Sequence, residues 1–182
     1  MGTLLNGLRL HVAHSADLSS RELSAARALI LEVFGDATED DWEHCLGGIH
    51  AIVWEGDRIV AHGSVIQRRI IYQGRALRTG YVEGVAVRRE RHRRGLGGRV
   101  MAELERVIRA AYQLGGLGSS EEGVPFYIAR GWQRWAGRTY ALTPEGMVRT
   151  PDDDDGIFVL PVSDALDLTA DLICDFRQGE LW

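Results

Sequence analysis

Gly80-Tyr-Val-Glu-Gly-Val-Ala-Val-Arg-Arg-Glu-Arg-His-Arg-Arg-Gly-Leu-Gly-Gly-Arg99 is the stretch that decides the fold. Tyr81, Val82, Val85, Ala86 and Val87 are β-prone, whereas Leu96, Val100, Leu104, Val107 and Ala111 recur at three and four residues, the spacing of one helical face. The stretch therefore predicts a strand, an Arg/Gly turn and an amphipathic helix, with the glycines at the helix start. First-turn N–H groups of such a helix have no intrahelical acceptor and carry the positive end of its dipole. With Arg88, Arg89, Arg91, Arg93, Arg94 and Arg99 beside them, they form a cradle suited to a pyrophosphate. Two plainer readings stand next to this one: a flexible Gly95-Leu-Gly-Gly turn, and an arginine run facing solvent or nucleic acid.

A P-loop is excluded, because it requires Gly-Lys-Ser/Thr and the chain has no lysine. A dinucleotide fold fits poorly, since no short strand with an acidic partner follows the glycines as that fold requires.

Upstream of the cradle, Glu55-Gly-Asp-Arg joins a strand over Ile49 to Trp54 to a long strand over Ile59 to Tyr72, which predicts a hairpin. Gln73-Gly74 turns the chain into a strand over 76–87, so an antiparallel meander leads into the cradle. Nearer the N-terminus, residues 8–14 alternate like a strand. Ser19 to Phe34 carries Leu23, Ala26, Ile30 and Phe34 at helical spacing, and a second short helix starts near Thr38. Downstream, the amphipathic helix runs over 96–113 and Leu114 to Gly118 is a short buried strand. Ser119-Ser-Glu-Glu opens a helix to Arg130, which Gly131 stops. Trp132 to Leu142 reads as a strand, 143–156 as a loop with Pro144, Gly146, Pro151 and four aspartates, and Ile157 to Val162 as a last strand. This order is α+β, a mixed and mostly antiparallel sheet flanked by helices, rather than a doubly wound series.

With 182 residues and no Pro-rich or Gly/Ser-rich linker, the chain predicts a single domain over 1–182. Its 45% hydrophobic and 26% charged content is ordinary for a soluble protein. No apolar run approaches the roughly 20 residues of a membrane span. No signal-peptide pattern is present, and Cys45 and Cys174 form no metal or redox motif, so a reducing cytoplasm is expected. His14, His44 and His50 are too scattered to propose a metal. The net charge of −5 conceals segregation, with acids at Asp36 to Glu43, at Asp152 to Asp155 and near the C-terminus, and arginines at 88–99. Two ligands of opposite charge could thus be served.

Element order and cradle together resemble the GNAT N-acetyltransferases. The signature of that superfamily is Arg or Gln, two residues, Gly, one residue and Gly or Ala, wrapped around the coenzyme A pyrophosphate. His92-Arg-Arg-Gly-Leu-Gly97 matches it, with His92 departing at the first position. The resemblance implies the GNAT acyltransferase fold, acetyl-CoA as co-substrate, and pyrophosphate contacts along His92, Arg93, Arg94, Gly95, Leu96, Gly97 and Gly98, carried by backbone N–H groups. It also implies that the strand ending in Val85, Ala86 and Val87 splays from its neighbour, so that main-chain groups pair with the pantetheine amides as an open strand edge pairs with a peptide. The side chains of Val85 and Val87 read as strand packing in either case.

A narrower resemblance covers most of the chain: Asp41-Trp-Glu-His-Cys-Leu-Gly-Gly-Ile-His50, Val65-Ile-Gln-Arg68, Gly80-Tyr-Val-Glu83, Ala111-Tyr-Gln-Leu-Gly115, Tyr127 with Gly131-Trp132, and Cys174-Asp-Phe-Arg177 ending at Trp182. These segments look like those of aminoglycoside 2′-N-acetyltransferases. That implies acetyl transfer from acetyl-CoA to a 2′-amine by direct attack in a ternary complex, antibiotic resistance as its effect, a homodimer, and no metal.

An ammonium cannot attack a thioester, so a base must take its proton, directly or through water. Glu83 is the candidate, two residues before Val85, and partial burial would raise its pKa. Its alternative is a structural carboxylate bonded within the sheet. Tyr127 lies where the family often places a tyrosine near the coenzyme sulfur, to protonate the departing thiolate; its alternative is packing against Trp132.

A polyamino sugar calls for carboxylates. By match to the subfamily, the acceptor contacts are Asp36, Asp41, Glu83, Gly84, Gly118, Asp153, Glu180 and Trp182, the last through a free carboxylate. Glu180 stands where relatives usually have Asp, and Gly118 replaces a hydroxyl residue. Asp41 with Thr38 also reads as a helix cap, and Asp152 to Asp155 as a solvated loop. One exposed ion pair contributes only about 0–1 kcal/mol, so several carboxylates must converge. Other readings keep the fold with a polyamine, peptide or cell-wall amino sugar as acceptor, or make the protein a non-catalytic binder of coenzyme A or aminoglycoside. A nucleic-acid reader fits poorly with the acidic balance, and no membrane partner is expected.

Overall fold

The structure, a computed structural model, describes residues 3–5 (backbone alone), 7–163 and 165–182. In chain order its elements are β1 (Thr3–Leu5), β2 (Leu8–His14), α1 (Ser20–Val33), α2 (Glu39–Glu43), β3 (Ile49–Glu55), β4 (Arg58–Tyr72), β5 (Arg75–Val87), α3 (Leu96–Ala111), β6 (Leu114–Gly118), α4 (Val124–Ala129), β7 (Gln133–Arg134), β8 (Thr139–Thr143), β9 (Gly146–Arg149), β10 (Ile157–Pro161) and β11 (Leu172–Cys174). Backbone contacts divide them into two compact units, residues 1–66 with 82–107 and residues 67–81 with 108–182. The long strands β4 and β5 run through both.

In the first unit the strand order is β1-β2-β3-β4-β5. The β3–β4 hairpin pairs Ile49 with Val65 and Ile52 with His62, and a bulge falls between Val53 and Trp54. Ser19 and Glu22 form a reciprocal capping box at the start of α1, which satisfies two of the orphan donors there. The helix then buries Ala26, Leu29 and Ile30 among Leu18, Trp42, Cys45, Ile52, Trp54, Ile59 and Ala86. Leu29 and Ile30, at 0% and 2% exposure, each gain about 1.5–3 kcal/mol from this burial. Thr38 and Asp41 build the same box on α2, which delivers Trp42 to that core.

In the second unit Thr79 to Tyr81 of β5 pair in parallel with Leu114 to Gly116 of β6, and β10 lies antiparallel to both β6 and β7. β11 joins the end of β4 antiparallel and β8 in parallel. Arg68, 2% exposed, ties β4 to the C-terminal segment. Its Nε donates to Asp175 Oδ1 at 2.8 Å, and its Nη2 donates to the carbonyls of Asp175 and Leu181 at 2.8 and 2.7 Å. No helix among the described residues is long and apolar enough to cross a membrane.

Four expectations need correction. Ser119 and Ser120 are irregular and Glu121 to Gly123 form a turn rather than a helix start, closed by the Gly123 N–H on the Ser120 carbonyl; α4 begins at Val124 behind Gly123, with Pro125 in its first turn. Trp132 to Leu142 is not one strand but β7 and β8. The break between them arises because the N–H groups of Ala136 and Gly137 turn to the Leu168 carbonyl and Trp135 Nε1 donates to the Ala170 carbonyl. The loop at 143–156 contains β9, paired with β8 from Tyr140↔Arg149 to Thr143↔Gly146. On α3 the buried face is Leu96, Val100, Met101, Leu104 and Ile108, whereas Ala111 is exposed.

Candidate functional site

Gly84 sets the geometry of the β5 segment. Its φ of +56° breaks the extended path of the strand, a conformation open to glycine at little cost. A Cβ there would also sit 2.7 Å from Cys45 Sγ and 2.9 Å from Ile30 Cδ1. Two side chains of β4 brace consecutive carbonyls at this point. His62 Nδ1 lies 2.9 Å from the Gly84 oxygen, and Ser64 Oγ reaches the Glu83 oxygen at 3.5 Å. Glu83 itself is half-buried. Val85 and Val87 continue the strand half-buried while Ala86 faces the core at 1% exposure.

The turn from Arg88 to Gly95 is built from internal ties as well as charge. Arg88 is not part of an anion cradle. Its side chain is buried, pairs with Glu32 and donates through Nε to the Ile59 carbonyl at 2.8 Å. Arg91 likewise binds Glu55, with Nη2 to Oε2 at 2.6 Å, and the guanidinium holds that carboxyl below its ordinary range. Thus the six arginines do not all converge, because two have carboxylate partners within the unit. Arg89, Arg93 and Arg94 are exposed and Arg99 is half-buried.

His92, the departure from the signature, has an internal role: its Nε2 lies 2.9 Å from the Val87 carbonyl oxygen, which can only accept. The turn then passes through the left-handed region at Arg93 (φ +59°) and Gly95 (φ +74°). Arg99 N–H donates to the Gly95 carbonyl. That bond makes Gly95 the residue preceding the first helical turn and leaves the amides of Leu96, Gly97 and Gly98 directed out of the end of a 16-residue helix. Helix dipole, exposed arginines and glycine amides suit the pyrophosphate of a coenzyme.

Asp36 is exposed on the connection between α1 and α2. Asp41 serves as the cap: its Oδ2 accepts from Thr38 N at 2.7 Å and from Thr38 Oγ1 at 2.9 Å.

In the second unit Asp153 and Trp182 meet at Thr150, and Glu180 is near enough to Asp153 to act on its charge. Trp182 Nε1 donates to Thr150 Oγ1 at 3.0 Å, and the Thr150 side chain also hydrogen-bonds Asp153. Burial raises the Asp153 carboxyl above its ordinary range, and the charges of Glu180, Asp152 and Asp154 push the same way. Asp154 belongs to the framework, because Arg149 pairs with it and Thr139 donates to it, and its carboxyl is held low. Arg177 donates to main-chain oxygens of Glu180 and Trp182, both at 2.6 Å. Gly118 ends β6, where a Cβ would lie 3.7 Å from Tyr81 Oη.

Tyr127 is buried in α4, with ring contacts to Phe126, Trp132 and Phe158, so the packing expected with Trp132 is present. Burial pushes its phenol up to about 12.

Sequence reasoning missed His62 and dismissed His50. Both imidazoles are fully buried, Nδ1 of His50 lies 2.9 Å from Nε2 of His62, and the Trp42 ring packs 6.3 Å from each. The hairpin turn at Gly56-Asp57 by itself would pair position 50 with 63; the bulge between Val53 and Trp54 shifts the register so that His50 opposes Ser64 and shares a face with His62, which no turn residue signals.

A strand broken at Gly84 beside Glu83 thus runs into a helix end rich in free amides. A model of the acetyltransferase (GNAT) domain matches residues 16–135, and the chain belongs to the GNAT acetyltransferase family. It is 45% identical over 186 aligned residues to the aminoglycoside 2′-N-acetyltransferase of Mycolicibacterium fortuitum, covering 100% of this chain and 94% of that enzyme. In fold it is similar to a GNAT family acetyltransferase from Brucella melitensis solved in complex with acetyl-CoA (TM-score 0.60, 12% identity, 90% of this chain and 94% of that one). It also matches a GCN5-related N-acetyltransferase from Kribbella flavida (TM-score 0.58, 21% identity, 72% of this chain), of which it spans about a third, 34%.

Proposed function

We propose that the protein transfers an acetyl group from acetyl-CoA to the 2′-amino group of an aminoglycoside, by direct attack within a ternary complex in one catalytic domain. The full-length likeness to the mycolicibacterial enzyme carries this reading, and the β5 kink with the α3 amides supports its donor half.

Acetyl-CoA supplies an acyl thioester. The amides of Leu96, Gly97 and Gly98, with Arg93 and Arg94, hold its pyrophosphate, and main-chain groups of Val85 and Val87 hold the pantetheine arm. Glu83 takes a proton from the acceptor ammonium, directly or through water, so that the nitrogen has a free lone pair. The Val85 N–H faces the oxygen on which negative charge develops. As the C–N bond forms and the C–S bond breaks, Tyr127 donates its phenolic proton to sulfur. Nitrogen sheds its second proton through solvent to the Tyr127 phenolate as it becomes an amide, and Glu83 returns its proton to solvent, so ammonium and thioester give amide, thiol and one H⁺. Asp36, Asp153, Glu180 and Trp182 hold the sugar and its ammonium groups, with Gly84 and Gly118 leaving room beside them; Asp41 adds charge from its cap. The same reading makes the protein a cytoplasmic homodimer with antibiotic resistance as its effect.

The test is incubation with acetyl-CoA and tobramycin beside kanamycin A, which carries a hydroxyl at the 2′ position, with NMR location of the acetyl group. Acetylation of tobramycin at the 2′ nitrogen and none of kanamycin A is expected. Modification elsewhere would overturn the acceptor assignment.

A further inference from the structure

The two buried histidines form the middle of a hydrogen-bond chain that ends on the kink of β5. Ser15 Oγ lies 2.8 Å from His50 Nε2, His50 Nδ1 lies 2.9 Å from His62 Nε2, and His62 Nδ1 lies 2.9 Å from the Gly84 oxygen. A carbonyl oxygen can only accept, so His62 carries its proton on Nδ1. A neutral His62 then accepts at Nε2, which places the His50 proton on Nδ1 and leaves His50 Nε2 to accept from the Ser15 hydroxyl. Ser15 Oγ in turn accepts from Gly47 N–H at 2.9 Å, and of the two acceptors within reach of its one proton, His50 Nε2 at 2.8 Å lies nearer than the Gly48 carbonyl at 3.2 Å. Every link therefore donates in the same direction, from Ser15 toward Gly84, with one proton on each ring.

The peptide unit joining Gly84 to Val85 is planar, and its C=O and N–H point to opposite sides. A donor bound to the Gly84 oxygen therefore fixes the direction of the Val85 N–H on the other side. It also polarises that N–H, because successive hydrogen bonds of one sense strengthen one another. At φ +56° the Gly84 peptide has left the strand's ordinary path, so a side chain takes over the work of aiming it.

We propose that His62, held in one tautomer by His50 and Ser15, is a positioning residue for acetyl transfer: through the Gly84 carbonyl it aims and strengthens the Val85 N–H that polarises the thioester oxygen. This rests on the role given to Val85 above. It assigns to the chain a function separate from substrate binding, since both rings are fully buried.

Two measurements test it. Steady-state kinetics compare wild type, His62→Phe and His62→Asn, whose amide nitrogen can replace the Nδ1 donor. His62→Phe is expected to lower kcat about tenfold, less than the 10²–10³ of losing an oxyanion donor outright, with KM for acetyl-CoA within about twofold. His62→Asn is expected to regain most of that kcat. A kcat unchanged in His62→Phe, or no recovery in a folded His62→Asn, overturns the proposal. Should His62→Phe not fold, ¹⁵N NMR of the wild-type imidazoles decides without substrate: protonated Nδ1 and bare Nε2 on both rings support the chain, and a proton on His62 Nε2 overturns it. If wild type acetylates no aminoglycoside, the proposed acceptor fails instead, and the ring tautomers remain a separate result.

Discussion

Trp182 donates its indole N–H to the Thr150 hydroxyl across 3.0 Å, and Thr150 Oγ1 meets Thr139 Oγ1 at 2.9 Å. All three side chains are buried, so the last residue of the C-terminal segment is registered against the framework through two hydroxyls. Thr150→Val keeps the shape and removes the acceptor. The buried indole N–H then lacks its partner, a loss that costs about 1–3 kcal/mol. The expected result is KM for tobramycin raised about tenfold, equivalent to ~1.4 kcal/mol, with KM for acetyl-CoA unchanged. Equal effects on both substrates would refute a role confined to the acceptor.

Asp153 is held at a cost to folding. Burial, and then Glu180, Asp152 and Asp154, raise its carboxyl, so the native state binds a proton more readily than the unfolded chain. Stability from this group therefore declines as pH rises through its unfolded value toward its folded one. Asp153→Asn should raise the urea midpoint at pH 7 while weakening tobramycin binding by calorimetry. A variant that loses both stability and affinity would show that the carboxylate is structural.

Tyr127, with its phenol near 12, stays protonated throughout the pH range of an assay. Its loss in Tyr127→Phe should slow turnover about tenfold at most, because a thiolate of pKa ~8.5 leaves with little help. Glu83→Gln should cost about 10²–10⁴, the range of a lost general base, and most at low pH where free amine is scarce. Stopped-time assays from pH 6 to 9 check both. A larger loss for Tyr127→Phe than for Glu83→Gln would reverse the roles.

The buried imidazoles give a second pH signature. Burial is the main cause that lowers His50 to about 3 and His62 to about 4; on His50 the neighbouring His62 and His14 act in the same sense. In the unfolded chain both titrate near ~6.5. Between those values the unfolded state binds more protons, so the stability they contribute is complete above ~6.5 and is lost as pH falls toward 4. Urea unfolding should show a midpoint that falls through this window in wild type and falls less steeply in His50→Gln. Parallel profiles for the two proteins would contradict the assignment.

What the sequence made legible follows from how local each signal is. The strand, turn and helix around Gly84 and Gly95 lie within one short stretch, and the hairpin at Gly56-Asp57 announces itself by its turn residues. The three-residue strand Leu172–Cys174 is too short to show a period. Arg68 and Asp175 stand 107 positions apart, and no spacing rule links them. Arg88 and Arg91 read as part of a basic run because their partners, Glu32 and Glu55, come from a distant helix and strand. Asp41 carried both meanings in sequence; the box with Thr38 is formed, and an acceptor contact is compatible with it.

The central claim is that main-chain amides of the β5 kink and the α3 start grip the acetyl carrier. It is tested most directly by titrating ¹⁵N-labelled protein with coenzyme A and following individual amides. The account predicts saturable shifts at Val85, Val87, Leu96, Gly97 and Gly98, with the amides of β9 unmoved. Unchanged spectra at those five positions, at coenzyme concentrations where turnover is observed, would contradict it.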